Sequence, residues 1–182
     1  MINKEFGSDF HWVEIGDFRN TKPSDAFVNS VDQLFFSGRA ALYHLLKMGI
    51  SKKGWKKLYV PTYYCHEVYH FLQELSIEIV SYSYNPVDDQ LDCIFEDHQS
   101  NVVLIVNYFG IKTPQISAFK QSTIIEDLTH DLSKISTSQA DYVFGSLRKI
   151  LPVPVGGFLK SNQEKLENIN ISYAADLVAT QK

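Results

Sequence analysis

Apolar and polar positions along the chain switch repeatedly between short strand-like runs and helical spacing. The runs rich in β-branched, aromatic and leucine residues lie at 33–36, 57–60, 77–84, 101–109, 122–125, 141–146 and 156–160. Helical spacing follows the first two runs, over 40–48 and 66–75. This alternation predicts an α/β protein with three layers, in which helices cover both faces of a seven-stranded, mostly parallel sheet.

Three local features refine this prediction. The run 101–109 is almost entirely apolar, which is typical of a central strand that is covered on both faces. The segment between the last two runs is too short for a helical crossover, so the final strand is predicted to be antiparallel. Gly49 follows the first helical pattern directly, and we expect the helix to end there.

The pattern as a whole indicates one domain. A chain of 182 residues with 45% apolar content is large enough to bury one substantial core. Residues 31–160 carry the strand and helix pattern and form the predicted large domain. Residues 1–30 scatter aromatic residues among charges without periodicity, which indicates an N-terminal arm, and residues 161–182 are predicted to form a C-terminal helix and a tail.

Charge and composition argue against several classes of partner. The formal net charge is -4 and the lysines form no basic stripe, so nucleic acid is not expected as a partner. The longest purely aliphatic run, 102–106, is far shorter than a membrane span, and the N-terminus lacks a signal-peptide apolar region. We therefore expect a cytoplasmic protein that makes no membrane contact. Cys65 and Cys93 match no metal-ligand or disulfide spacing, so no metal is expected.

The most informative candidate chemistry is a Ser-x-x-Lys sequence, Ser146 to Lys149, at the predicted end of a strand. An apolar environment favours the neutral form of a lysine amine, and the neutral amine attacks carbonyl carbon. The apolar neighbours in sequence are Phe144, Leu147, Ile150 and Leu151. We therefore predict a desolvated lysine of the Schiff-base type, with Ser146 and Arg148 available to bind a phosphate. An ordinary surface lysine beside a turn is the alternative interpretation.

Two further candidates also follow predicted strands. Gly38 lies where the first helix begins, and the unpaired N–H groups of a first helical turn favour anions, although an ordinary strand-to-helix turn has the same pattern. Asp127 follows the run 122–125, and a helix-capping aspartate is its alternative interpretation. Functional sites in such sheets gather at the carboxyl ends of the strands. Gly38, Asp127 and Lys149 are therefore predicted to lie close together.

Four segments, in order, resemble motifs of the DegT/DnrJ/StrS-type sugar aminotransferases, a group of fold-type I pyridoxal phosphate enzymes. They are Ser37-Gly-Arg-Ala-Ala-Leu42, Val60-Pro-Thr-Tyr-Tyr-Cys65, Ile124-Ile-Glu-Asp-Leu-Thr-His130, and Ser146-Leu-Arg-Lys149 with the Pro-Val-Pro-Val-Gly-Gly157 that follows. The similarity extends from about residue 37 to residue 160, and Arg39 stands where the family has a threonine. The resemblance implies the large domain of the fold-type I architecture.

The resemblance also implies a cofactor, pyridoxal 5′-phosphate (PLP), and residues that act on its ring. Lys149 would attach the cofactor as a Schiff base and then transfer a proton. Asp127 would pair with the protonated pyridine nitrogen, which keeps the ring an electron sink. Tyr64 is expected to stack on the ring, with Cys65 and Tyr63 as alternatives.

The remaining family positions concern the phosphate and the edge of the ring. By resemblance, backbone N–H groups of the turn at Gly38, Arg39 and Ala40 would hold the cofactor phosphate. Because Arg39 replaces a hydroxyl residue, the backbone, the Arg39 guanidinium or the Ser146 hydroxyl would supply the missing contact. His130, three residues after Asp127, is expected near the ring, and a purely structural histidine is the alternative.

The function implied by the resemblance is transfer of an amino group from an amino acid such as glutamate to a keto sugar, which we expect to be nucleotide-linked. Sites of this family are usually completed across a dimer interface, so a homodimer is expected through the aromatic surface near Tyr63 and Tyr64. The family's C-terminal small domain is expected to be absent from these 182 residues. This leaves an alternative, a truncated non-catalytic PLP-fold remnant that acts as a binding or assembly partner.

Overall fold

A single β-sheet organises the part of the chain that the computed structural model describes, residues 30–85, 87, 90–111, 119–151 and 153–166. Its eight strands follow the spatial order β1-β8-β7-β6-β5-β2-β3-β4. The strands are β1 (Gln33–Phe35), β2 (Lys57–Pro61), β3 (Glu78–Asn85), β4 (Gln90–Asp92), β5 (Asn101–Val106), β6 (Thr123–Asp127), β7 (Tyr142–Ser146) and β8 (Gly157–Ser161).

The directions of the strands confirm the predicted fold class. Strands β3, β2, β5, β6 and β7 are parallel to one another, and β8 runs antiparallel between β1 and β7. The sheet has one strand more than predicted, because β4 pairs antiparallel with β3 at the edge. A three-residue strand is too short to show a periodic pattern, so the sequence indicated only a connection there.

Two α-helices pack on one face of the sheet. Helix α1 (Gly38–Met48) buries Leu42, Leu45 and Leu46 in a core cluster that includes Leu58 of β2 and Leu104 of β5. Helix α2 (His66–Leu72) contributes Leu72 to the same cluster and ends earlier than the predicted 66–75. The alternate strand residues form a second cluster on the opposite face, with Tyr59, Val103, Ile105 and Phe158 among its buried members.

The first α-helix ends where the sequence predicts, because α1 closes at Met48 and Gly49 is its C-cap. The chain then continues into a π-helical turn, Gly49–Lys53, and reverses at Gly54, which has the left-handed φ of 70°. Gly49 also serves packing, because a Cβ at this position would lie 1.8 Å from the Trp55 ring.

The predicted chain ends fall largely beyond the described residues. The N-terminal arm, 1–30, lies outside them except for Ser30, and so do residues 167–182 of the predicted C-terminal helix and tail. Ser161, the first residue of that predicted segment, closes β8. The division into arm, large domain and tail therefore stays a prediction. Within the described ranges, no helix is both long and apolar enough to cross a bilayer.

Asp97, a loop residue, holds the backbone segment that leads into the inner strand β6. Asp97 accepts hydrogen bonds from the backbone N–H groups of Lys120, Gln121 and Ser122, at 2.9, 3.1 and 2.8 Å. These backbone bonds, led by those from Lys120 and Ser122, lower the pKa of Asp97 to about 2. Asp97 is therefore charged in the folded protein at neutral pH, and its carboxylate holds these three backbone N–H groups in place.

We expect Asp97→Asn to lower the midpoint of thermal unfolding at pH 7 by a few degrees. Because the folded-state pKa lies below the unfolded one, the charge of Asp97 stabilises the fold above about pH 4, and this contribution disappears as the pH falls toward 2. Thermal melts of both proteins between pH 2 and pH 7 should converge at the acid end. Glu74→Gln, at an exposed position of the chain, is the control; a gap between wild type and Asp97→Asn that is independent of pH would contradict the assignment.

Candidate active site

A cavity of about 800 Å³ opens at the carboxyl ends of the parallel strands, beside the start of α1. Its walls come from the loop between β2 and α2, from the ends of β5, β6 and β7, and from the turn before β8. Seven of the eight residues predicted for the site line it: Gly38, Arg39, Tyr64, Asp127, His130, Ser146 and Lys149. The structure thus brings together residues that are far apart in the sequence.

Asp127 is the buried acid of this cavity. It is the last residue of β6 and only 6% exposed. Its Oδ1 accepts a hydrogen bond from the Thr129 backbone N–H at 2.8 Å, and its Oδ2 accepts one from the Tyr64 hydroxyl at 2.7 Å. A carboxylate that leaves water needs such donors, because an unpaired buried charge is costly. The side chain is therefore held in one orientation.

Two tyrosines near Asp127 have raised pKa values. Burial, followed by the negative charge of Asp127, raises the pKa of Tyr64 well above its ordinary value. The same two causes raise the pKa of Tyr108, whose hydroxyl donates to the Tyr63 backbone oxygen at 2.7 Å. Both hydroxyls therefore keep their protons at neutral pH, and the Tyr64 hydroxyl is the donor in its bond to Asp127.

The start of α1 packs directly on the end of β7. A Cβ on Gly38 would lie 2.9 Å from the backbone carbon of Gly145 and from the Ser146 nitrogen, so no larger residue fits without displacement. A Cβ on Gly157 of β8 would lie 2.2 Å from the Ser37 backbone carbon. These two glycines allow the helix start, β7 and β8 to meet backbone to backbone, which places the first turn of α1 beside Ser146.

Ala40 is placed differently from the prediction. Its backbone N–H donates to the Ser37 Oγ at 3.1 Å, so the serine caps the helix and occupies this group. Ala40 is itself buried, with 2% exposure. The expectation that the Ala40 N–H is open to a phosphate is therefore wrong for this structure, because a capping serine directly precedes the glycine.

The Ser-x-x-Lys segment forms the turn that the sequence predicts, but its lysine is not enclosed. Strand β7 ends at Ser146 and is followed by a 3-10 turn, Leu147–Lys149. The Lys149 side chain is exposed, as are Ile150 and Leu151, at 47% and 36%. The predicted apolar enclosure of Lys149 is therefore wrong for the described chain, because its apolar sequence neighbours point partly into solvent. The amine still lines the cavity.

Positive charge collects at the rim of the cavity. Arg39, Arg148 and Lys149 line it, and the Arg39 guanidinium lies 3.7 Å from Glu67 and 5.9 Å from the centre of the Phe71 ring. These contacts tie Arg39 to α2, with its side chain 28% exposed. Glu67 also lines the cavity and offsets the charge of Arg39, so Arg148 and Lys149 supply the positive charge that an anionic group would meet.

His130 lies at the mouth of the cavity and stacks on Phe109. The two rings are 5.1 Å apart and only 6° from parallel, and the Phe109 N–H donates to His130 Nδ1 at 3.3 Å. Phe109 has a φ of 56°, a left-handed conformation that is costly for a bulky side chain. The backbone thus turns sharply after β5, which is why the predicted strand 101–109 ends at Val106.

Sequence reasoning missed Thr129, which joins two of the predicted segments. Its N–H donates to Asp127, and its Oγ1 accepts a hydrogen bond from the Ser146 N–H at 3.1 Å. Thr129 also lines the cavity. Its place two residues after Asp127 was a usable signal, because an aspartate often bonds the backbone two residues further on. The contact with Ser146 depends on strand pairing and carries no local signal.

Comparison with solved structures shows that this mostly parallel sheet, with its cavity at the carboxyl ends of the strands, has the fold of the PLP transferases. In its apo form, Spr1654 from Streptococcus pneumoniae, named a sugar aminotransferase, matches 86% of this chain with a TM-score of 0.57 and 16% identity. Its form with pyridoxamine phosphate (PMP) matches 92% of this chain with a TM-score of 0.55 and 15% identity.

A glycine decarboxylase (P-protein) structure in inhibitor-bound form matches 81% of this chain with a TM-score of 0.55 and 11% identity. The chain spans about half the length of the solved structures it matches, with 48% and 49% of the two Spr1654 chains and 43% of the decarboxylase chain covered. No family model matches the sequence, and no curated protein sequence is significantly similar to it. At these identities the shared property is the fold.

We expect Thr129→Val to destabilise the protein by about 1 kcal/mol, since it removes the acceptor of the half-buried Ser146 N–H while keeping the shape of the side chain. Thr129→Ser keeps the hydroxyl and is the matched control, with a smaller loss. Urea unfolding at neutral pH measures both. Equal losses for valine and serine would show that the methyl group of Thr129, and not its hydrogen bond, stabilises this corner.

Proposed function

We propose that this chain binds PLP in the cavity and supplies the catalytic lysine of an aminotransferase of the DegT/DnrJ/StrS type. The observation that carries the proposal is the meeting of a primary amine, Lys149, and a buried, doubly hydrogen-bonded carboxylate, Asp127, on one cavity. The shared fold with Spr1654 supports it, because structures of that protein are described in PLP and PMP forms.

The residues present fit this cofactor in their chemistry. A pyridinium nitrogen needs a buried acceptor, and Asp127 is a carboxylate at 6% exposure that faces the cavity. A phosphate needs cations or hydroxyl donors, which Arg39, Arg148 and Ser146 supply at the rim. An aldehyde needs a reachable primary amine, and Lys149 is exposed on the same cavity. Acceptor, cations and amine are thus all on one surface.

The cofactor supplies an electron sink for carbanions when it is bound. Lys149 offers Nζ as the nucleophile that attaches it and, once released, as the base that carries a proton. Asp127 would accept a hydrogen bond from the protonated ring nitrogen and so would keep that proton in place. Lys149 is exposed, so its amine is accessible to solvent in this structure. Its apolar sequence neighbours do not exclude water from Nζ, and other groups would have to do so.

Substrates and assembly are further parts of the proposal. A keto sugar, attached to a nucleotide, is the proposed amino acceptor, and an amino acid such as glutamate is the proposed donor. The cationic side chains of Arg39, Arg148 and Lys149 at the rim support an anionic substrate of this kind.

We also propose a homodimer that covers the exposed aromatic side chains at the mouth of the cavity, since Tyr63 and Phe109 are 63% and 60% exposed there.

We expect the purified protein to turn yellow with PLP, and borohydride to fix the cofactor onto Lys149. Lys149→Ala should abolish both the absorption band and the labelled peptide, because no other amine would replace Nζ at this position. Lys134→Ala, which removes an exposed lysine of another turn, is the control and should keep both. Failure of the wild-type protein to form the band, or a band that survives Lys149→Ala, would refute the proposal.

We expect glutamate to bleach the yellow band and a nucleotide-linked keto sugar to restore it, because the two half-reactions consume and regenerate the attached cofactor. Spectra recorded during stepwise addition test this, with the D-enantiomer of glutamate as the control. A band that forms but that no amino acid in a donor panel bleaches would show a cofactor pocket without aminotransferase activity.

A further inference from the structure

We propose that Tyr64 is a positioning residue whose hydroxyl takes the place of the cofactor's ring nitrogen on Asp127 when the site is empty, and yields that place on loading. This inference rests on the proposed function and goes beyond it. It gives Tyr64 a role different from the stacking role expected from the sequence. It also predicts that Tyr64 lowers the affinity for the cofactor, which a residue selected only to contact the ring would not do.

The two oxygens of Asp127 are occupied from different sides. The backbone N–H of Thr129, on the chain that leaves β6, donates to Oδ1 at 2.8 Å. The Tyr64 hydroxyl, from the loop after β2, donates to Oδ2 at 2.7 Å. Tyr64 lines the cavity together with Asp127. Oδ2 is therefore the oxygen whose donor is a side chain that also lines the cavity.

The ring of Tyr64 is held in place by its packing. It contacts both core clusters, the one beneath α1 and the one on the opposite face of the sheet. Pro61 ends β2 three residues earlier, and α2 begins two residues later, so the loop that carries Tyr64 is short. In the empty protein this packing directs the hydroxyl at Asp127, and because Tyr64 is a half-buried loop residue, its side chain can turn away when a ring binds.

Two donors would then compete for one oxygen. Without a ligand, removal of the tyrosine hydroxyl leaves a carboxylate of 6% exposure with the Thr129 N–H as its remaining donor among the described contacts. With a ring nitrogen bound, the same removal costs less, because the ring supplies a donor. By the thermodynamic cycle, loss of the hydroxyl weakens the empty protein more than the loaded one, and so it tightens binding.

The test is Tyr64→Phe, which keeps the ring and removes the donor. We expect a lower unfolding midpoint for the protein without PLP, and a dissociation constant for PLP about two- to tenfold lower than that of wild type. The matched control is Tyr82→Phe. Tyr82 is also buried and its hydroxyl donates to the Leu104 backbone oxygen at 2.7 Å, outside the cavity lining. It should lose stability without any change in PLP affinity.

A second ligand isolates the ring nitrogen. The carbocyclic analogue of PLP, with C–H in place of the nitrogen, should bind wild type more weakly than PLP, because it displaces the Tyr64 hydroxyl without giving Asp127 a new donor, and it should gain affinity in Tyr64→Phe as PLP does. If PLP affinity in Tyr64→Phe is unchanged or weaker, or if the analogue binds wild type as tightly as PLP, the inference is overturned. If the wild-type protein does not bind PLP at all, the proposed function fails first, and this outcome is distinct from the others.

Crystal structures of the wild-type protein without and with PLP test the inference even if Tyr64→Phe does not fold. The contact between the Tyr64 hydroxyl and Asp127 Oδ2 should be present without PLP and lost or lengthened beyond hydrogen-bonding distance with it. A contact that stays at its present length while the ring nitrogen binds the same oxygen would overturn the inference.

Discussion

Direct backbone contact at one corner of the sheet is the constraint on which the site depends. The start of α1 touches the end of β7 at Gly38, and β8 touches Ser37 at Gly157, at distances that leave no room for a side chain. This contact fixes the helix start, Ser146 and the following turn relative to each other. Asp127 comes from the neighbouring strand in register, with Asp127 opposite Phe144 of β7. The cavity is therefore a consequence of close strand and helix packing.

Much of this arrangement could be predicted from the sequence because it depends on local signals and on one topological rule. Apolar runs marked the inner strands, and short connections marked the reversal at β8. Sheets of this kind gather functional residues at the carboxyl ends of their strands. That rule correctly placed Gly38, Asp127 and Lys149 on one cavity, although their separation in sequence carries no such information.

The features that could not be predicted depend on contacts between segments. The edge strand β4 exists through pairing with β3 and is too short for a pattern of its own. Gly49 ends α1 as predicted, but the packing of the Trp55 ring on this glycine carries no local signal. Apolar neighbours in sequence suggested an enclosed Lys149, yet neighbours along a turn point in different directions, and two of them face solvent. The Thr129 bond to Ser146 likewise joins the loop after β6 to the end of β7.

The backbone of Phe109 restricts how this residue can be exchanged. A φ of 56° is easily adopted by glycine or asparagine and is strained for phenylalanine, so these two replacements would relax the loop. The ring that they would remove is the one stacked on His130 at the mouth of the cavity. A more durable loop and an intact stacked pair are therefore mutually exclusive at this position.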